Sequence, residues 1–196
     1  MEAKSIPAVL VLAAATLAPA PAIAPPISLA GFVPVPPPAA AAPALDAAQQ
    51  ALVEHIARRY QVAPEPTGQI VQTAYRAAAL MHLDPLLILA VISIESRFNP
   101  IAESGMGARG LMQIIPKYHL EKLEEHGGED AVLDPESNIL VGTRILREYV
   151  RRTGSLEAGL QFYNGAAWDE TARYTRKVLA ERERLAQALA PARAGI

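Results

Sequence analysis

The chain has 196 residues, enough for one ordinary domain with a real core plus a tail. Its formal net charge is -2, so it lacks the basic footprint of a nucleic-acid-binding protein. It has no cysteine, which excludes a disulfide framework, a thiolate metal site and a lipidated N-terminal cysteine.

Residues 1–22 read as a secretory signal. Lys4 gives a basic start, Ile6 to Ala18 form an apolar run too short to span a bilayer, and Ala20-Pro21-Ala22 offers a cleavage site. The alternative is an uncleaved apolar tail. Residues 23–44 continue the charge-free Pro/Ala composition that begins at Pro19, which suits an extended tether; a recognition segment would have the same composition. Beyond it, residues 45–143 carry seven Lys and Arg against thirteen Asp and Glu, and the residues from 144 onward carry ten against six. Solvated helix faces account for that split.

Helical signals then follow one another. Asp46 caps a predicted helix through Leu52, Val53, Ile56 and Tyr60, and Ala63-Pro64-Glu65-Pro66-Thr67-Gly68 is expected to break it. A second helix is predicted from Gln69 to about His82, with Ile70, Ala74, Ala77 or Ala78 and Met81 on one face. His82 lies in the following turn, where a surface or capping role fits better than metal ligation, since no second His sits at metal spacing.

Asp84 and Pro85 supply the cap and first residue of a third helix. Leu86 to Ile92 leave it no polar face, so it should be buried on all sides, and Asn99-Pro100 is expected to close it. Glu95 falls near its end, on the face of Leu87, Val91 and Ile92. Apolar walls disfavour the charged form of a carboxyl, raise its pKa and make it a proton donor near neutral pH. A glycine-rich polar loop, SGMGARGLMQ, follows at once, and Gly105, Gly107 and Gly110 let backbone pass close to a ligand.

Past Ile114-Ile115-Pro116, a charged stretch with His119 and His126 reads as a solvated helix and turn rather than a metal site. Asp134-Pro135 repeats the cap-and-proline start, and the helix beyond it buries Ile139, Thr143, Leu146 and Val150 before ending at Thr153-Gly154. Ser155 caps a short helix to Tyr163-Asn164-Gly165. The last helix is predicted to begin around Trp168, with a charged part from Ala180 to Ala190 expected to protrude or fray. No stretch alternates with period two over a useful length, so the expectation is an all-α domain over residues 45–190, with room for a small irregular β turn after Glu95.

Five blocks carry a resemblance: Glu95-Ser96; Ser104 within SGMGARGLMQ; Asp134-Pro135 with Asn138-Ile139 and Gly142; Tyr163-Asn164-Gly165; and Tyr174 before Val178-Leu179. Their order and spacing make Asp84 to Ala180 similar to the catalytic domain of soluble lytic transglycosylases, whose fold is goose-type-lysozyme-like. The resemblance implies a central buried catalytic helix, a glycan-binding groove and cleavage of the β-1,4 bond between N-acetylmuramic acid and N-acetylglucosamine in peptidoglycan. It implies Glu95 as the sole catalytic carboxyl, with Ser104, Gln113, Tyr163 and Asn164 along the groove, Gly110, Leu111 and Met112 shaping its wall, and Tyr174 orienting Glu95. Ser96 is assigned to the helix end. No cofactor and no metal are implied, and the expected location is the periplasm, with peptidoglycan glycan strands as partner and no transmembrane segment in the mature chain.

Phe162 stands where the family usually has a small residue, as in some specialised members, which points to a cell-envelope secretion or conjugation apparatus as a further partner. Tyr118-His119 also departs from the usual small residues and bears on substrate range. Two rival readings remain at this level. A hydrolytic lysozyme on the same fold needs a second acid, for which Glu103 and Asp169 are the candidates; a non-catalytic peptidoglycan-binding assembly protein needs only the groove.

Overall fold

The computed structural model describes residues 44–194, with side chains placed through Leu189. The expected signal at residues 1–22 lies outside the described residues, as does almost all of the expected tether at 23–44. Seven α-helices make up the described part: α1 (Ala47–Tyr60), α2 (Pro64–Met81), α3 (Pro85–Glu95), α4 (Leu120–Glu124), α5 (Pro135–Thr153), α6 (Leu156–Tyr163) and α7 (Arg173–Ala194). Short 3₁₀ turns occur at Pro116–Tyr118 and Glu129–Leu133. Among the described residues the only β pairing is a pair of isolated bridges, Glu103 with Arg109 and Arg109 with Ile114, in the loop after α3.

The caps expected from the sequence are made. Asp46 accepts from the Gln49 N–H at 2.7 Å while the Gln49 side chain accepts from the Asp46 N–H at 3.2 Å, a reciprocal capping box. Asp84 accepts from the Leu86 N–H at 2.9 Å, Asp134 from the Ser137 N–H at 2.8 Å and Ser155 from the Ala158 N–H at 3.1 Å. Each of these carboxylates or hydroxyls satisfies a donor that the first helical turn would leave orphaned.

The core is organised around α3. Leu86 through Ser93 are all buried, and the helix is enclosed by α2 and α7, with α1 packed on both of those and α5 on α2. A helix with no polar face is stable only in such a sleeve. A second, smaller apolar cluster of Ile114, Leu123, Val132, Val141 and Ile145 holds the loop segment against α5.

Three expected boundaries are corrected. α2 begins at Pro64 rather than Gln69, because Pro64 and Pro66 sit in the first turn, where a missing N–H breaks no helical bond. α3 ends at Glu95 rather than Asn99, because Arg97 and Phe98 adopt left-handed backbone, φ 54° and 66°. Such strain in non-glycine residues persists only where packing enforces it; Phe98 is buried and its ring lies 5.0 Å from that of Tyr60. α7 begins at Arg173 rather than Trp168, and its distal part does not protrude. Glu181, Leu185 and Leu189 are all buried, one inward stripe at helical spacing beneath an otherwise charged surface.

Candidate active site

Ending α3 at Glu95 places the carboxyl where the sleeve opens. Glu95 is half-buried, and its Oε1 accepts a hydrogen bond of 2.5 Å from the Tyr174 hydroxyl on α7. Burial lifts the Glu95 pKa above its ordinary value, and the Tyr174 bond pulls back part of that rise. No second carboxylate among the described residues contributes to the shift. Burial, then the Glu95 charge, push the Tyr174 phenol well above its ordinary range, so it stays a donor. Tyr163 is shifted the same way, by burial first and then by the Glu95 charge.

The loop after α3 is wired from within. The Ser104 hydroxyl accepts from the N–H groups of Met106 at 3.3 Å and Ala108 at 3.0 Å. The Gly110 N–H donates to the Ala102 carbonyl at 2.8 Å, and the Gln113 side-chain amide donates to the carbonyls of Ala102 and Gly110, each at 3.1 Å. Gln113 itself takes φ 48°, turning the chain back toward the groove. Its amide nitrogen is thus spent on the loop, leaving its carbonyl oxygen for a ligand.

Asn138, on α5, is the knot beneath this loop. It is buried, accepts from the Met112 N–H at 2.8 Å, and donates to the carbonyls of Val132 at 2.7 Å and Arg109 at 3.1 Å. Gly110 fits over it only without a side chain: φ is 78°, and a Cβ would come within 2.6 Å of the Val132 carbonyl oxygen as well as striking the Asn138 amide. Gly142 likewise lets Met112 close on α5, since a Cβ there would meet the Met112 sulfur at 2.7 Å.

A groove of about 240 Å³ opens beside this loop, lined by Gln113, Tyr118, His119, Tyr149, Tyr163 and Asn164 among others. The Tyr163 hydroxyl donates to the Met112 carbonyl at 2.8 Å, fixing α6 to the loop. The structure therefore brings Gln113, Tyr163 and Asn164 together along the groove, while the Glu95–Tyr174 pair stands apart from its lining residues and acts on Tyr163 through the Glu95 charge. Of the residues expected to shape the groove wall, Met112 is fully buried and Gly110 is buried; Met112 acts through its backbone oxygen and Gly110 by allowing close approach. Ser104 is half-buried and its hydroxyl is engaged within the loop.

The candidate second acids are otherwise occupied. Glu103 pairs with Arg109 at 3.1 Å, and the Asp169 carboxylate accepts from the Thr171 N–H at 2.9 Å and hydroxyl at 2.6 Å and from the Arg173 N–H at 3.3 Å. Those bonds hold the Asp169 pKa below its ordinary value and tie the carboxylate into its own turn. Among the described residues no group of three His, Cys, Asp or Glu is placed to hold a metal ion. The sequence reading missed Asn138 as the organiser of the loop; a polar residue four positions past the Asp134 cap, on the inward stripe with Ile139 and Thr143, was the available signal. It also missed Tyr149, which only its packing 4.7 Å from the Phe162 ring brings to the groove.

The family model described as the transglycosylase SLT domain matches residues 72–183. A protein named transglycosylase from Enterobacteria phage PRD1 is 36% identical over 113 residues, 55% of this chain and 41% of that protein. Membrane-bound lytic murein transglycosylase C of Photorhabdus laumondii is 34% identical over 107 residues, 47% of this chain and 30% of its own length. The chain thus spans less than half the length of these curated relatives. Two solved structures share the fold: lytic transglycosylase Slt of Pseudomonas aeruginosa, with a TM-score of 0.54 at 23% identity over 60% of this chain and 24% of that one, and the 70 kDa soluble lytic transglycosylase of Escherichia coli, with 0.55 at 19% over 76% and 32%. The all-α, lysozyme-like architecture expected from the sequence is therefore the one found, and with more than half its length matched by the family model, the chain belongs to the transglycosylase SLT domain family.

Proposed function

We propose that this protein is a peptidoglycan lytic transglycosylase in which Glu95 works alone. The supporting observation is a half-buried carboxyl, raised in pKa by burial, held by one phenol and, among the described residues, shifted by no second carboxylate. Glycosidases ordinarily use two carboxyls. One suffices when the nucleophile belongs to the substrate. Protonated Glu95 donates its proton to the glycosidic oxygen as the bond to C1 of the N-acetylmuramic acid breaks. The C6 hydroxyl of that same sugar then bonds to C1, and its proton passes to the Glu95 carboxylate. The product is a 1,6-anhydro sugar, no water is consumed, and Glu95 ends protonated as it began. The substrate's own N-acetyl group meets the positive charge at C1, a substrate-assisted route. Holding the C6 hydroxyl close is worth up to roughly 7–11 kcal/mol in well-oriented intramolecular reactions.

Tyr174 orients Glu95, while Gln113, Tyr163 and Asn164 hold the glycan. Ser104, Gly110 and Met112 build the loop that carries Gln113. The mature domain covers residues 45–190, exported to the periplasm by a signal at 1–22 and tethered by 23–44. Phe162 supports service to a secretion or conjugation apparatus of the envelope. The test is digestion of purified peptidoglycan by the wild type and by Glu95→Gln, with released muropeptides weighed by mass spectrometry. Products lighter by one water than hydrolytic ones, absent with the variant, are expected; reducing-end products would establish a lysozyme instead.

A further inference from the structure

Trp168 is 95% exposed, an extreme position for the largest amphipathic side chain. It stands on the loop between Asn164 and Tyr174, and that loop is not loosely held. The Ala166 N–H donates to the Gln161 carbonyl at 2.9 Å, the Asp169 N–H to Ala166 at 3.0 Å and the Ala172 N–H to Asp169 at 3.0 Å. The Gln161 side-chain amide donates to the Asp169 carbonyl, and the Asp169 carboxylate closes the turn on Thr171. The backbone on both sides of the indole is thus fixed, and the small side chains of Ala166, Ala167 and Ala172 give the ring no wall to pack on.

The surface beside it is concave, about 280 Å³, and lined by Gln161, Ala167, Trp168, Asp169, Glu170 and Ala172. It lies close along the chain to the groove, whose lining includes Phe162 to Gly165, the residues that follow Gln161. A flat apolar ring bordered by an amide and an exposed carboxylate suits a neutral sugar, which offers a C–H face and a rim of hydroxyl donors. Asp169 and Glu170 disfavour an anionic lipid surface or an acidic peptide.

We propose that Trp168, with Gln161 and Glu170 beside it, is an outer sugar-binding platform that holds the glycan strand beyond the groove. The proposal rests on the glycan-cleaving reading and extends it to a surface outside the reacting sugars. Bulky aromatic anchors of this kind carry a large share of binding energy where they become covered.

Trp168 is the chain's sole tryptophan, so its fluorescence reports on this site alone. The full chain carrying Glu95→Gln is titrated with N-acetylglucosamine oligomers from dimer to hexamer, with calorimetry in parallel. Affinity is expected to rise with length, and the emission to shift to the blue with the longer oligomers. Trp168→Ala should abolish the gain with length and lower hexamer affinity about tenfold, Trp168→Phe should restore most of it, and neither should change the melting temperature. A hexamer that binds without changing the emission, binds Trp168→Ala equally, or does not bind at all overturns the platform. A response to anionic vesicles and not to the hexamer overturns it in favour of a lipid surface. Loss of the catalytic reading with the emission response intact, or lysis intact with Trp168 silent, separates the two claims.

Discussion

Two carboxylates on neighbouring helices, Glu95 half-buried and Glu181 buried, make opposite uses of burial. Glu95 ends α3, and Glu181 lies in the middle of α7; each accepts from a tyrosine hydroxyl, Tyr174 at 2.5 Å and Tyr60 at 2.7 Å. Glu181 is the more enclosed, at 2% exposure, yet its pKa is lowered where that of Glu95 is raised. Burial pushes both upward. At Glu181 the Tyr60 bond and the cations of Arg184 and Arg59, the latter at 3.4 Å, outweigh it. At Glu95 no cation contributes. Counter-charge offsets burial at the carboxylate that holds α1 to α7, and no cation offsets it at the one left to carry a proton.

The largest expected effect breaks the comparison at its catalytic end. Glu95→Gln should lower the lytic rate by about 10²–10⁴-fold or more, the usual worth of a positioned acid–base group, read by turbidity loss of purified peptidoglycan. Next comes Glu181→Gln. It leaves two half-exposed arginines without their acid, and should cost about 2 kcal/mol in chemical denaturation, less than a fully buried pair because solvent screens both cations. Lytic rate per folded molecule should persist.

Tyr174→Phe sharpens the comparison by removing the one group that lowers the Glu95 pKa. The carboxyl should rise further, moving the alkaline limb of kcat/KM to higher pH, while poorer orientation lowers the rate about tenfold, roughly the worth of one hydrogen bond to a charged group.

The smallest effect is on stability, and its sign reverses between the two sites. A raised folded pKa contributes stability that is full below the ordinary value of 4.5 and is lost as pH rises through the folded value. Glu95→Gln should therefore raise the melting temperature at neutral pH, by about 1 kcal/mol or less in stability, and lose that gain below pH 4.5. Glu181 contributes stability above 4.5 that disappears as pH falls through its lowered value, so Glu181→Gln should be most damaging at neutral pH and nearly harmless in acid.

The two carboxylates also differ in how far the sequence reveals them. Glu95 was legible because local rules agree around it: Asp84-Pro85 starts a helix, seven apolar residues deny it a polar face, and a glycine-rich loop follows. Glu181 was hidden, since its partner Tyr60 lies 121 residues away and its neighbours Arg182, Glu183 and Arg184 read as a solvated end. The Arg97-Phe98 reversal that stops α3 was equally hidden. Left-handed backbone in such residues is imposed by Phe98 docking on Tyr60, a tertiary contact that no propensity anticipates. Pro64 and Pro66 misled because a proline pair marks a break and a helix start alike. Of the groove residues, Gln113, Tyr163 and Asn164 were reached through the family pattern, and Asn138's role emerged only from the three bonds it makes across the loop.

The most direct measurement is a carbon-13 NMR titration of the Glu95 carboxyl in the full chain, with Glu181 as internal reference. Glu95 should titrate above 4.5 and move higher in Tyr174→Phe, while Glu181 titrates below it. A Glu95 that titrates at or below 4.5, alongside Glu181, would contradict its role as the lone proton donor.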